Sequence, residues 1–152
     1  MTYKEEQFGW AMNVWILILP FLMLLFYLLE IGDKPMPLFV LIVSVVFFLI
    51  IFLLFFKLTI AVNDSNIVIS FGVGIIRKKV SLGDIKEVKR VKTNWYNGWG
   101  IRKIKNGMLY NIQGFNAIEL SFKNKKSILR IGISSSSDLD KEIRNRITMN
   151  KS

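Results

Sequence analysis

The sequence predicts a two-helix transmembrane hairpin followed by a mainly-β domain of about seven antiparallel strands that ends in an amphipathic helix. Three observations carry this prediction. Two almost wholly apolar runs of about 20 residues lie near the N-terminus, separated by a linker at 30–37. After Phe56 the pattern changes to short runs rich in Val, Ile and Phe, broken by Gly, Asn and Asp. Near the C-terminus Leu139, Ile143 and Ile147 recur at a spacing of four, which places them on one helix face.

The first apolar run, 10–29, has Asn13 as its single strongly polar residue, and the second, 38–56, has only Ser44. About 20 helical residues at 1.5 Å each cover the ~30 Å hydrocarbon layer of a bilayer. Neither run carries the polar stripe that a surface helix of a soluble protein needs. The segment ahead of the first run, MTYKEEQFG, lacks a basic flank, and no small-residue cleavage site follows Leu29, so the run reads as a span and not as a cleaved signal. Gly32, Pro35 and Pro37 in the linker stop helices and make turns, so the spans form a tight antiparallel hairpin. Pro20 reads as a passive kink, which neighbouring groups can accommodate in a membrane. Neither span holds a charged residue, which argues against an ion or proton path.

Orientation follows from charge. Residues 57–152 hold 19 Lys/Arg against 7 Asp/Glu, a net +12, whereas residues 1–56 hold 2 against 4, a net −2. Basic residues concentrate on the cytoplasmic side of spans. The expected organisation is a cytoplasmic N-terminus at 1–9, a hairpin at 10–56 with its linker outside, and a cytoplasmic domain at 57–152, in the cell (inner or plasma) membrane. Trp10, Trp15 and Tyr27 suit the interfaces. The basic excess points to an anionic partner for the second half of the chain.

The chain has no cysteine and no histidine. Disulfides, thiolate nucleophiles, Ser-His-Asp triads and the commonest metal ligands are therefore excluded. The double-glycine segments Gly72-Val73-Gly74 and Gly98-Trp99-Gly100 do not extend to a phosphate-binding fingerprint. No enzyme activity, cofactor or metal is expected, and Asp138, Asp140 and Glu142 read as helix-capping acids.

Within the domain, KLTIAV and NIVISFG flank an Asn/Asp turn and read as a hairpin. IIRKKVSL, EVKRVKT, GMLYNIQG, NAIELSF and SILRIGI supply five further strands, with 94–100 as an aromatic loop. Ser137 with Asp140 three later fits a capping box ahead of the last helix, and Arg144 and Arg146 lie late in it, as the helix dipole favours.

Ser81-Leu82-Gly83-Asp84-Ile85, Trp99-Gly100-Ile101-Arg102, Tyr110-Asn111-Ile112, Gly114 with Ala117-Ile118-Glu119-Leu120, and Arg130-Ile131-Gly132 resemble bacterial membrane proteins with a pleckstrin-homology-like (PH-like) domain after a transmembrane hairpin. The resemblance covers most of the stretch from Lys57 to Ile147. It implies a PH-like barrel of seven meandering strands plus a C-terminal helix. It implies little about function, because one fold hosts many roles. Some similar bacterial proteins protect cells against membrane-active bacteriocin peptides, which would make the hairpin and linker the working parts.

The leading candidate contact is the aromatic loop with its basic neighbours: Trp95, Tyr96 and Trp99 beside Arg102, Lys103 and Lys105, with Arg77, Lys78 and Lys79 as a second basic run. Trp and Tyr favour membrane interfaces, and each nearby Lys or Arg adds about 1 kcal/mol on an anionic leaflet. The competing assignment puts the tryptophans in the core. The chain is therefore expected to be a non-enzymatic, membrane-anchored module. It would bind anionic lipid headgroups or an unknown protein partner, with an exposed sheet edge as one route. Bacteriocin resistance is the alternative, and transport by a homo-oligomer of the hairpin the third. Nucleic acid is not an expected partner, since no recognised binding motif accompanies the basic surface.

Overall fold

The structure is a computed structural model and describes residues 2–32, 36–94 and 98–149. Strand β1 (Tyr3–Phe8) leads into helices α1 (Trp10–Leu28) and α2 (Leu38–Phe55). Then follow β2 (Lys57–Val62), β3 (Asn66–Phe71), β4 (Ile76–Ser81), a 3-10 turn (Leu82–Asp84) and β5 (Ile85–Lys92). The chain closes with β6 (Gly100–Ile104), β7 (Gly107–Asn111), β8 (Asn116–Phe122), β9 (Ile128–Gly132) and α3 (Leu139–Met149).

Both α1 and α2 are long and apolar enough to cross a membrane, and only 6% of each candidate span is buried within the chain. Core helices of a soluble protein would be covered by other elements; these two expose Trp15, Phe21, Phe39 and Phe47 outward. Helix α1 runs through Pro20 without interruption. Ser44 donates its hydroxyl to the Val40 carbonyl (2.7 Å), so this side chain is satisfied inside its own helix.

The β domain is two sheets facing each other across one apolar core. The first has the order β1-β2-β3-β4 and the second β5-β8-β9-β7-β6. Alternation places Leu58, Ile60 and Val62 of β2 and Ile67, Ile69 and Phe71 of β3 inward, where they meet Ile118, Leu120, Leu129 and Ile131. Leu139 and Ile143 of α3 complete that core, and Ile147 packs against it, as their spacing predicts. Burying each such side chain contributes about 1.5–3 kcal/mol.

Three findings correct the expected architecture. The sheets do not close into a single barrel: β4 ends the first sheet and β6 ends the second. The strand order is not a meander, because β8 lies between β5 and β9, and β7 pairs with β9 in parallel over Gly107–Tyr110 and Ile128–Ile131. Periodicity fixes which face of a strand is buried but not which strand lies beside it. Finally, the segment ahead of the helices is itself a strand. β1 pairs along its whole length with β2, from Tyr3 opposite Val62 to Phe8 opposite Lys57.

This last pairing makes the helical hairpin an insertion between two neighbouring strands. Glu5 and Gln7, on the inward face of β1, tie it to the second sheet. Gln7 Nε2 donates to the Gly132 carbonyl (3.0 Å), and the Ser137 hydroxyl donates to Glu5 (2.5 Å). Ser137 in turn accepts the Leu139 amide at the start of α3 (3.2 Å), as an N-cap does. The reciprocal half of the expected capping box is absent; Asp140 turns instead to the Arg90 guanidinium (2.5 Å) on β5. That ion pair holds the Asp140 carboxyl below its ordinary value and the Arg90 guanidinium above its own.

Candidate functional site: the helix-proximal end and the open seam

The β domain meets the helices through short, fixed contacts. Asn13, the one strongly polar residue of α1, donates Nδ2 to the Phe56 carbonyl at the end of α2 (2.9 Å), and the Gly9 amide reaches the same oxygen (3.3 Å). The β3–β4 turn sits under α2: the Val73 amide donates to Leu53 O (3.1 Å) and the Gly72 amide to Lys57 O (2.8 Å). A free carbonyl of the last helical turn is thereby satisfied by the domain. Gly72 has φ +55°, and a Cβ there would stand 2.0 Å from the Leu53 oxygen, so the turn requires glycine. At Gly9, a Cβ would lie 2.6 Å from the Ile112 side chain, which follows β7. Aromatic contacts continue the joint, from Phe55 edge-on to Phe71 (5.7 Å between centroids) to Phe71 tilted against Tyr110 (6.2 Å).

These contacts define a helix-proximal end of the domain, and register shows what else lies there. Gly100 pairs with Asn111, next to Ile112, so Trp99 stands at this end. Asn116 pairs with Lys92, and the Thr93 amide donates to Phe115 O (2.7 Å), while Ala117 pairs with Gly132 beside Gln7. Phe115 therefore belongs to the same end. Val73, Ile75 and Phe115 are exposed there, Ile75 by 74%. Arg77 folds back on the β3–β4 turn, donating Nε to Gly74 O (2.5 Å), and Arg102 donates Nε to Trp99 O (3.3 Å). Apolar tips with guanidinium groups beside them thus surround the exit of two bare apolar helices.

The structure distributes the sequence-derived candidates. Trp95 and Tyr96 lie outside the described residues. Trp99 is half-buried, and Arg77 and Arg102 are exposed at the helix-proximal end. Lys105 is in the β6–β7 turn, at the far end of β6, five residues from Gly100 and so about 17 Å away along a strand. Lys78 and Lys79 line a different feature, the open seam between the sheets, and Lys103 lies on β6 next to it.

That seam is a groove of about 320 Å³ between the free edge of β4 and the β7–β9 face. Val80, Met108, Tyr110, Phe122 and Leu129 form its apolar lining, and Lys78, Lys79 and Lys125 its basic rim. Lys103 pairs opposite Met108 and so stands on the same face. Burial holds the Tyr110 phenol above its ordinary value, which keeps it a hydrogen-bond donor. Among the described residues none of these four lysines forms an ion pair, and Asp84 is the only carboxylate lining the groove. Sequence reasoning missed the groove because it arises between strands more than 25 residues apart; Lys78 and Lys79 were its only visible part.

No group of three His, Cys, Asp or Glu side chains suited to a metal is found among the described residues. Compared with known proteins, the chain matches no family model, no curated protein and no solved structure.

Proposed function

We propose that this protein is a non-enzymatic, PH-like module anchored by two spans in the cell membrane, with both termini cytoplasmic, whose helix-proximal end binds anionic lipid headgroups. The observation that carries the reading is the composition of that end. Val73, Ile75 and Phe115 are exposed beside Arg77 and Arg102, and the β3–β4 turn is bonded directly to the last turn of α2. In a bilayer spanned by α1 and α2, these side chains meet the interface without any further movement. Apolar tips enter the acyl boundary while guanidinium groups pair with phosphate, the combination that stabilises peripheral helices at anionic surfaces. The net +12 of residues 57–152 supports the same side of the membrane.

The test uses the full chain in nanodiscs of zwitterionic lipid and of zwitterionic lipid doped with phosphatidylglycerol. Amide hydrogen exchange over 72–77 and 98–102 is expected to slow in the anionic discs, and less so with Ile75→Ser or Arg77→Ala. Exchange at these segments that is the same in both discs would sink the reading.

A further inference from the structure

We propose that the open seam is a binding site for an acidic, extended segment of a partner protein, which adds as a fifth strand to the free edge of β4. Three observations converge on this occupant. β4 ends its sheet, so its outer N–H and C=O groups have no strand partner among the described residues. An unpaired edge is a template for a further strand, and backbone ladders supply affinity in that mode of recognition. The groove beside the edge has an apolar lining from Val80, Met108 and Leu129, which receives alternate side chains of an added strand. Finally, the rim is basic on both faces: Lys79 points to the outer face, Lys78 to the inner one, and Lys125 stands across the groove. An incoming strand therefore carries acidic residues on its outer face and apolar residues opposite Val80, with a further acid near Lys78.

Position separates this site from the lipid contact. Ile76, the first residue of β4, adjoins the turn bonded to α2, and Ser81 lies five residues on, about 17 Å along the strand. Lys125 belongs to the β8–β9 hairpin, at the opposite end of β9 from Gly132, which lies by Gln7. A headgroup layer is only about 5–8 Å deep on each side of the bilayer. The distal half of the groove thus faces the aqueous phase, where a protein segment and not a headgroup reaches it.

The test pans a displayed library of random decapeptides on the full chain in zwitterionic nanodiscs, where the proposed anionic lipid contact is not engaged. Enriched peptides are expected to alternate Asp or Glu with Val, Ile or aromatic residues. Their affinity is expected to fall about tenfold or more with the double variant Lys78→Glu/Lys125→Glu, and to vanish when a proline is placed mid-peptide. Thermal unfolding of the double variant serves as the folding control. A peptide bearing a photoreactive phenylalanine should crosslink near Met108 or Leu129. Three results would overturn the proposal. One is no enrichment together with self-association of Lys78→Val, which would make the lysines guards of a bare edge. Another is enrichment of peptides indifferent to charge reversal. The third is displacement of the peptides by phosphatidylglycerol vesicles with protection of the groove, which would give it to lipid.

Discussion

Replacing Gly72 with alanine tests whether the β domain is fixed to the helices or merely hangs from them. The backbone at Gly72 is left-handed, with φ +55°, which costs a residue bearing a Cβ about 1–2 kcal/mol. The new Cβ also stands 2.0 Å from Leu53 O and 2.5 Å from the carbonyl atoms of Leu54, all backbone of α2. Neither side can yield by a rotamer change, so the turn must leave the helix end and lose the Val73–Leu53 hydrogen bond, a further ~0.5–1.5 kcal/mol. Gly114→Ala is the matched control, because Gly114 is also left-handed, at φ +71°, but has nothing within 4 Å of its Cβ position. The expected loss is about 2–3 kcal/mol for Gly72→Ala and about 1–2 kcal/mol for Gly114→Ala. For a domain of this size the difference lowers Tm by about 4–8 °C more. The assay is thermal unfolding of the full chain in nanodiscs, with hydrogen exchange at the Val73 amide reporting the joint itself. Equal Tm losses with a still-protected Val73 amide would refute the argument that α2 and the β3–β4 turn are in direct contact.

Other perturbations address the remaining joints. Asn13→Leu removes the side-chain bond to Phe56 O and should cost about 0.6–1.7 kcal/mol, seen as faster exchange at the start of α1 with the spans still inserted. Truncation of residues 1–8 bares β2 along its length. Residues 57–152 expressed alone should therefore self-associate and melt lower than the same fragment carrying residues 2–8 on a glycine-serine tether, as read by sedimentation and circular dichroism. Asp140 has its carboxyl held below the ordinary aspartate value of about 3.9 by Arg90, so it binds a proton less readily folded than unfolded. Its contribution to stability is present in full above that value and is lost as pH falls through the lower folded value. Asp140→Asn should accordingly lower the unfolding midpoint at pH 7 and flatten the acid limb of the Tm-versus-pH curve below about pH 4.

The helices and most strands were legible because their signals are local. Nothing but apolar side chains fills 38–43, and the alternation in KLTIAV and NIVISF matches the burial observed at every position. β1 was illegible for an equally physical reason. Its inward residues are Tyr3, Glu5 and Gln7, of which Glu5 bonds to Ser134 and Ser137 and Gln7 to Gly132, more than 120 residues away, so no hydrophobic period marks it. β6 offers only Ile101 and Ile104 in five residues and takes its place from pairing with β7. The candidate site was half legible for the same reason. Arg77 and Arg102 are visible as charges beside turn glycines. That Arg77 and Lys78 point to different faces, one toward the helix-proximal turn and one into the seam, follows from the pleat of a strand whose partner the sequence does not name.

Insertion of the helical hairpin between β1 and β2 has a mechanical corollary. Phe8 and Lys57 are cross-strand partners, and α1 begins two residues after Phe8 while α2 ends two before Lys57. Asn13 and Gly9 both bond to Phe56, between those ends. A sliding of α1 past α2 therefore shears the β1–β2 ladder, whose register is fixed by the inward placement of Gln7 and Leu58. A tilt of the two helices together instead moves the β3–β4 turn, because Val73 is bonded to Leu53. β4 begins three residues beyond Val73, so such a tilt displaces one wall of the seam while β7 and β9 stay with the second sheet. The two modes are separable by disulfide trapping: a cysteine pair at Phe8 and Lys57 blocks the shear and should leave peptide binding at the seam intact, whereas a pair linking Leu53 to Val73 should change it.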